Sequence, residues 1–390
     1  MNLVSLLLSG QGYNLRRLTA AVVSWLDPAH HRAACVQLAT WQPADWSMLK
    51  TVIFIHGIGP YLHEMLPQTV LHARLPTDFQ HWLAEQHALN AARIQKMHGE
   101  LHAILYAANR AGIAVMPLKG SLLGTLYYPS PALRPMSDLD LLVHPADQAG
   151  LVAILRALHY GKLPGYPDVY QHDFTVVSMT SEHPDNPRPV EVHTRIQRSV
   201  WDDAGVYEIT AALWSTATPQ LLLGEMIYMP ALDQLLLSVT THALKHSLLA
   251  QGRILQWLDI AYLAPHIQQV PLMHANWSYP VLRLASRALP SQLAQLDLAP
   301  LAARTRPYLR RWCESTPLDT RCGLMAATML PDQRFHSWTA RLERIWERWQ
   351  PAPWRMAVVY ENTPLPLAYA QYALVLGNGV ARRVAGRFRR

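Results

Sequence analysis

The sequence predicts an α+β fold in which a small α+β core is flanked by N-terminal helices and a C-terminal helical domain. Three observations support this prediction: a helical apolar repeat over residues 79–111, short strand-like apolar runs between residues 113 and 196, and helical spacing of Trp and Leu over residues 205–350. The predicted boundaries divide the chain into an N-terminal helical region (1–78), an α+β core (79–204), a helical domain (205–350) and a basic tail (351–390).

The composition excludes several classes of protein. Of the 390 residues, 50% are hydrophobic and 16% are charged, whereas disordered chains need low hydrophobicity and high charge. The three cysteines include no C-x-x-C pair, which argues against a disulfide framework or a zinc ribbon and favours a reducing compartment. No basic residues precede the apolar run Leu3–Leu8, as they would in a secretion signal, so we expect a cytoplasmic protein.

The first elements follow from breaks in the apolar pattern. Proline and glycine interrupt residues 1–78 repeatedly, which predicts short helices there. The long helix over 79–111 carries an apolar stripe, and Gly112 ends it. The period then changes, so residues 113–118 are expected to form a strand that turns at Lys119–Ser121 into a second helix.

The remaining elements of the core alternate in the same way. Acidic and apolar residues alternate over Asp138–Val143, which predicts a strand, and an amphipathic helix over 146–159 is expected to close at Gly161. Two further strands are expected at Asp173–Met179 and Val190–Ile196. All of 205–350 is expected to be helical.

Acidic residues on these strands indicate chemistry, because burial otherwise disfavours charge in a sheet. Asp138 and Asp140 are two residues apart, so their side chains lie on one face of the strand. Two adjacent carboxylates repel each other unless a cation lies between them, and Mg²⁺ sites are built in this way. Glu191 offers a third carboxylate from a strand that can lie beside the first.

The turn at Lys119–Ser121 offers groups that bind phosphate. The N–H groups of Gly120 and Ser121 at a helix start, the Ser121 hydroxyl and the Lys119 amine all suit a phosphate group. Arg134 is a candidate phosphate clamp, although a loop arginine also serves solubility. A phosphate site with paired carboxylates is the minimum for metal-assisted phosphoryl or nucleotidyl transfer. A solvated carboxylate pair on an edge strand is the alternative.

Four segments resemble a bacterial family of uncharacterised nucleotidyltransferases, which itself resembles the DNA-polymerase-β-like nucleotidyltransferase superfamily. These segments are Pro117–Ser121, Leu126–Pro129, Arg134–Val143 and Val190–His193. The similarity extends over residues 80–265, where a helical histidine (His242), Arg253 and a Trp-Leu-Asp helix (Trp257–Asp259) also match.

The resemblance implies a mixed-sheet nucleotidyltransferase core that uses Mg²⁺, or Mn²⁺ in its place, to move an NMP from an NTP such as ATP to a hydroxyl group and to release pyrophosphate. It implies that Gly120 and Ser121 hold the triphosphate; Lys119 and Arg134 are further candidate phosphate contacts on the evidence of their positions alone. It also implies a two-metal mechanism in which Asp138 and Asp140 ligate two Mg²⁺ ions and Glu191 completes the catalytic metal site. We place on the acceptor side of the cleft the residues His193, His242, Arg253 and Asp259.

Several interpretations stay open at this point. The acceptor is a peptide, a metabolite, a polysaccharide precursor or a tRNA. A metal-dependent glycosyltransferase also uses a D-x-D pair, and a non-catalytic nucleotide-binding module keeps the same fold. His242 and His246 have the i, i+4 spacing of metal ligands, but Ala243 replaces the glutamate of the helical zinc-protease motif. Asp259 is expected to hydrogen-bond Arg253 or a histidine.

The basic tail allows two interpretations. Five arginines lie within residues 382–390, and such a cluster either attracts an anionic partner or keeps a terminus soluble. In the uncharged segment Asn362–Ala381 before it, the apolar stretch Leu367–Leu376 has ten residues. Ten helical residues span about 15 Å, half of a bilayer core, so we expect a docked or interfacial helix and no transmembrane span.

Overall fold

The computed structural model describes residues 12–162, 176–181, 188–199, 206–248, 252–272, 274–315 and 318, together with 366, 367, 369, 370 and 373. Helices dominate these residues and enclose a small mixed sheet, so the predicted α+β class is confirmed. One continuous apolar core extends from Leu18 in the first helix to Cys313 in the last. The division into four segments stays a prediction.

The N-terminal residues fold into short helices, as predicted. They are α1 (Gly12–Trp25), α2 (His31–Leu38), α3 (Pro43–His56) and α4 (Gly59–Met65). Pro43 and Pro60 lie in the first turns of α3 and α4, where the missing N–H group costs nothing. Gly57 ends α3 with φ +68°, in the left-handed region that glycine adopts without strain.

The long helix α5 (Thr77–Arg110) confirms the prediction for residues 79–111. Its buried stripe includes Ile94, Leu101 and Leu105, and Gly112 follows its end with φ +70°. This helix packs against α4, and its Glu100 accepts a hydrogen bond of 2.7 Å from the hydroxyl of Tyr160 in the sheet.

The sheet has five strands in the order β1-β2-β5-β4-β3. The strands are β1 (Met116–Leu118), β2 (Leu139–Leu142), β3 (Tyr160–Lys162), β4 (Val176–Ser181) and β5 (Pro189–His193). Strands β2 and β5 are parallel, and the other neighbours are antiparallel, so the predicted mixed sheet is confirmed. Between the strands lie the helices α6 (Gly120–Leu126) and α7 (Gln148–Ala157).

Two sequence predictions in this region are wrong. Gly161 was expected to close the amphipathic helix, but it lies inside β3; the chain turns instead at His159, with φ +64°. Residues from 205 onward were expected to be wholly helical, yet the chain forms β6 (Gln197–Ser199) with β7 (Val206–Glu208), and then a hairpin after the short helix α8 (Thr210–Ser215).

The hairpin pairs β8 (Thr218–Leu222) with β9 (Glu225–Met229). Its two-residue turn places Leu223 at φ +53° and Gly224 at φ +85°, the conformation typical of tight hairpins. The backbone N–H of Tyr228 donates to the carbonyl of Val115 at 2.9 Å. The hairpin therefore covers the β1 edge of the sheet.

Five helices complete the described chain. They are α9 (Leu232–Leu248), α10 (Ile254–Leu263), α11 (Ala275–Ala288), α12 (Ala299–Arg304) and α13 (Pro307–Ser315). Helix α10 is largely buried and packs against α9 and α11. Asp27, after α1, accepts hydrogen bonds of 3.0 Å from both the N–H and the Oγ of Ser291, which ties the two ends of the fold together.

None of the helices in the described ranges has the length and apolar character needed to cross a bilayer. The segment Asn362–Ala381 falls largely outside these ranges, and the arginines of 382–390 fall wholly outside them.

Candidate active site

The pairing of β2 with β5 brings the predicted acids together. In this parallel pair Asp140 lies opposite Glu191, and Leu142 lies opposite His193. Asp138 immediately precedes β2, two residues before Asp140. Because side chains two residues apart share a face of a strand, all four polar side chains lie on one face of the sheet.

Asp140 is the buried centre of this group. Its Oδ1 accepts a hydrogen bond from Lys119 Nζ at 2.5 Å, and His193 Nε2 lies 2.9 Å from the same oxygen. Burial alone would raise the pKa of Asp140, but the Lys119 amine and the His193 ring outweigh burial and hold the pKa below its usual range. Asp140 is therefore ionised across the physiological pH range.

Three side chains lie close enough together to bind one metal ion. One ligand atom each from Asp140, Glu191 and His193 lies within 4.8 Å of the others, and His193 Nε2 is 3.4 Å from Glu191 Oε2. The sequence interpretation put His193 on the acceptor side, but its ring lies against these two carboxylates. The i, i+2 spacing of Glu191 and His193, the same as that of the aspartates, is the signal that could have shown this.

Asp138 lies beside this group and carries charge that is poorly compensated. Its Oδ1 accepts a hydrogen bond of 3.0 Å from Ser137 Oγ. Burial, and then the nearby charge of Asp140, raise the pKa of Asp138 to about 6. Carboxylate oxygens are the ligands that Mg²⁺ and Mn²⁺ prefer, so the donor set and its excess negative charge fit a divalent cation.

Lys119 has an unusual backbone conformation. It joins β1 to α6 with φ +50° and ψ −123°, a region that costs a residue with a Cβ about 1–3 kcal/mol. This turn directs its amine at Asp140. Sequence reasoning identified Lys119 from its position before the turn, but the contact with Asp140 depends on the tertiary fold.

Gly120 and Ser121 begin α6. A Cβ on Gly120 would lie 2.7 Å from Met136 Cγ and closer still to Arg134 Nη1, so only glycine fits there. Ser121 is buried, and its Oγ has no hydrogen-bond partner among the described residues. Gly120 lines the cavity described below, and Ser121 does not.

Arg134 and Asp259 form a buried ion pair. Arg134 Nε and Nη2 each donate to a carboxylate oxygen of Asp259 at 2.7 Å, and the Tyr128 hydroxyl donates to Asp259 Oδ1 at 2.8 Å. Burial would lower the pKa of Arg134, but the Asp259 charge outweighs burial and raises it. The expectation that Asp259 bonds Arg253 or a histidine is wrong, since its partners are Arg134 and Tyr128.

A cavity of about 250 Å³ connects the sheet to the C-terminal helices. The predicted site residues that line it are Lys119, Gly120, Arg134, Asp138, Asp140, His242, Arg253 and Asp259. Ser121, Glu191 and His193 do not line it, although the last two touch or approach Asp140. The rings of His242 and His246, whose centroids are 4.6 Å apart, face the sheet across this space.

The fold thus places a carboxylate group and a strand-to-helix turn on a mixed sheet, which defines the class of protein as a nucleotidyltransferase-like fold with added helices. A family model described as "Uncharacterised nucleotidyltransferase" matches residues 42–288, and the chain belongs to that family. The match begins at Gln42, immediately before α3, so the family unit includes part of the N-terminal helices.

Among solved structures, the solution structure of the antibiotic-resistance factor ANT(2″)-Ia is similar to this chain with 13% sequence identity and a TM-score of 0.32. The similarity covers 44% of this chain and 84% of that chain. No curated protein sequence matches.

Proposed function

We propose that this protein is a divalent-cation-dependent nucleotidyltransferase that moves an NMP from an NTP to a hydroxyl of an acceptor and releases pyrophosphate. Family membership supports the transferase class. The observation that carries the cation dependence is the convergence of Asp140, Glu191 and His193 within 4.8 Å, with Asp138 beside them at the cavity.

The ligands of Mg²⁺ or Mn²⁺ in this proposal are Asp138, Asp140 and Glu191, and His193 hydrogen-bonds Asp140. When bound, the metal ion offsets negative charge on the phosphates and polarises the group that is transferred. The chain itself binds and orients the triphosphate. The Lys119 amine supplies a positive charge, and the missing side chain at Gly120 lets a phosphate approach the start of α6.

Two alternatives make different predictions. A glycosyltransferase with a D-x-D pair requires a parallel, Rossmann-like N-terminal half, but residues 12–110 form helices in the described structure. A non-catalytic module of the same fold would bind NTP and metal without releasing pyrophosphate. Pyrophosphate release therefore separates this module from the proposed enzyme.

A cytoplasmic location is part of the proposal. Cys35 and Cys313 are free thiols, which fits a reducing compartment, and an NTP-using enzyme needs the nucleotide pool found there.

The direct test is incubation with each NTP and Mg²⁺ or Mn²⁺ in the presence of mixed peptides, metabolites, polysaccharide precursors or tRNA. Pyrophosphate release and a mass gain of one nucleotide on one acceptor are expected for the wild-type protein. Asp140→Asn should abolish both. Asp147→Asn removes the same charge at a residue that does not line the cavity, and it should abolish neither. Release that persists in Asp140→Asn would contradict the proposed site.

A further inference from the structure

The cavity has two walls of different charge. The sheet side carries Lys119, Asp138 and Asp140. The opposite side, which we name the helical wall, consists of the cavity-lining residues of α9, α10 and the residue before α10; its ionisable members are His242, His246, Arg253 and Asp259. The proposed metal and triphosphate contacts lie on the sheet side, so the helical wall is left for another part of the reaction.

The helical wall has no acid available to a ligand. Asp259 is its one carboxylate, and both Asp259 oxygens accept hydrogen bonds from Arg134. Arg253 is half-buried, and within the described part of the chain no carboxylate lies at ion-pair distance from its guanidinium. Burial lowers the pKa of Arg253, and the charge of Asp138 opposes this effect from the sheet side. The wall is therefore basic.

We propose that the acceptor hydroxyl belongs to a molecule with an anionic group, a phosphate or a carboxylate, and that Arg253 together with His242 and His246 binds this group. This inference rests on the proposed function, because it assigns the second substrate of that reaction. A guanidinium binds phosphate and carboxylate through two parallel N–H···O hydrogen bonds. Its N–H donors are fixed in one plane, so one edge of the half-buried Arg253 guanidinium is enough to bind such a group.

Other acceptor classes fit the helical wall less well. A polycationic acceptor would bring ammonium groups towards Arg253, and the other carboxylates of the cavity, Asp138 and Asp140, are the proposed metal ligands. A neutral acceptor would cover the half-buried guanidinium without giving it an ion-pair partner, which is costly because a buried charge needs a partner. An anionic group supplies this partner. The triphosphate of the NTP is the one competing anion, and the experiment must separate the two.

The experiment measures binding of orthophosphate to the full chain while the nucleotide site is filled. Saturating Mg²⁺ and a non-transferable α,β-methylene ATP occupy the proposed triphosphate site, and orthophosphate is then titrated by calorimetry against a chloride control of equal ionic strength. We expect saturable binding to the wild-type complex. Arg253→Gln should weaken it at least tenfold, and Arg253→Lys should weaken it less.

Arg32→Gln provides the matched control, since Arg32 is exposed on α2 and does not line the cavity. It should bind orthophosphate as the wild type does. The melting temperature of each variant shows whether the fold is intact. If Arg253→Gln fails to fold, Arg253→Lys, which keeps the positive charge, still allows the comparison with the wild type.

Three results would overturn the proposal: no orthophosphate binding to the wild-type complex, equal binding to Arg253→Gln, or a loss of ATP-analogue affinity in Arg253→Gln without a separate phosphate site. The last result would assign Arg253 to the triphosphate. Failure of the proposed function is distinguishable, because the wild-type protein would then release no pyrophosphate from any NTP, while orthophosphate binding to the wild type and to Arg253→Gln would still report on Arg253.

Discussion

Arg134, in the loop before β2, and Asp259, in α10, are joined by two hydrogen bonds of 2.7 Å across 125 residues of sequence. The pair is buried, and the Tyr128 hydroxyl adds a third hydrogen bond to the same carboxylate. This contact fixes the helical side of the cavity to the sheet side, so the width of the cavity depends on it.

We expect that removing one partner of the Arg134–Asp259 pair lowers the stability of the fold strongly, and that replacing both partners restores part of it. Asp259→Asn should lower the free energy of unfolding by about 3–5 kcal/mol, because Arg134 would remain charged and buried without its partner. The double variant Arg134→Met with Asp259→Leu should recover a good part of this loss. Denaturant unfolding of the wild type, of Asp259→Asn and of the double variant measures these changes. An Asp259→Asn protein as stable as the wild type would show that the ion pair has little influence.

Gly120 predicts a steric effect at the start of α6. Gly120→Ala places a Cβ within 2.7 Å of Met136 Cγ and against Arg134, so we expect a loss of about 1–3 kcal/mol in stability. Gly99→Ala is the matched control, because a Cβ at Gly99 meets no atom within 4 Å. Thermal unfolding of both variants provides the comparison. A Gly120→Ala protein as stable as Gly99→Ala would mean that the loop at Arg134 can move away.

We expect the difference in stability between the wild type and Asp138→Asn to depend on pH. The folded-state pKa of about 6 lies above the ordinary value of 3.8, so ionisation of Asp138 opposes folding. Without metal, wild-type stability should fall relative to Asp138→Asn as pH rises from 4 to 6, with a plateau of about 1–3 kcal/mol above that range. Unfolding at several pH values measures the difference.

Mg²⁺ should reverse this order if Asp138 is a metal ligand. It should stabilise the wild type and have a smaller effect on Asp138→Asn, which should also lose nucleotidyl transfer. Chelation with EDTA should restore the metal-free order. A variant that keeps near-normal turnover would remove Asp138 from the mechanism.

We expect that removal of the Lys119 amine changes the affinities for metal ion and for metal–NTP in opposite directions. Its amine lies 2.5 Å from Asp140 Oδ1 and so competes with a metal ion for that oxygen. Lys119→Met should therefore tighten the binding of Mn²⁺ alone but weaken the binding of metal–NTP by about 1–3 kcal/mol, with a smaller effect on NMP. Calorimetry with Mn²⁺, then with NTP and NMP, measures the three affinities. Equal weakening for NTP and NMP would place the amine away from the outer phosphates.

The basic tail predicts a salt-dependent interaction. Deletion of residues 380–390 should leave NTP binding unchanged but reduce binding to tRNA, an acidic peptide or anionic vesicles at low salt. The wild-type affinity should fall steeply as salt rises, because exposed charges are screened within about 8 Å at physiological ionic strength. Equal binding by the truncated and full chains would favour solubility as the role of the arginines.

Local patterns predicted much of the site. The i, i+2 spacing of Asp138 and Asp140 depends only on strand geometry, and the strand-to-helix turn at Lys119 depends on a change of period over a few residues. The short strands and the long helix followed from the same patterns, whereas the mixed character of the sheet was implied by the family resemblance. The roles assigned to these residues stay predictions, but their common location is a property of the fold.

Long-range contacts explain what the sequence did not show. The partner of Asp259 lies 125 residues away, and no local pattern distinguishes Arg134 from Arg253 as that partner. The hairpin at β8 and β9 was missed because its turn has Leu223 at a position where Asn or Gly is usual, so the glycine at 224 stood alone as a signal. In the sequence, His193 looks like an ordinary buried histidine on a strand. Its place beside the carboxylates depends on the pairing of β5 with β2, which no local pattern gives.

The span between Arg134 and Asp259 has a consequence for synthesis of the chain. The carboxylates of β2 and β5 can meet once residue 193 has emerged from the ribosome, but the cavity gains its second side only after α10 has emerged. Because chains emerge at about 5–20 residues per second, a nascent protein passes through several seconds in which the acids are paired and the enclosure is absent. Substrate would find no complete pocket during this interval, so the proposed activity can begin only after α10 has emerged and docked.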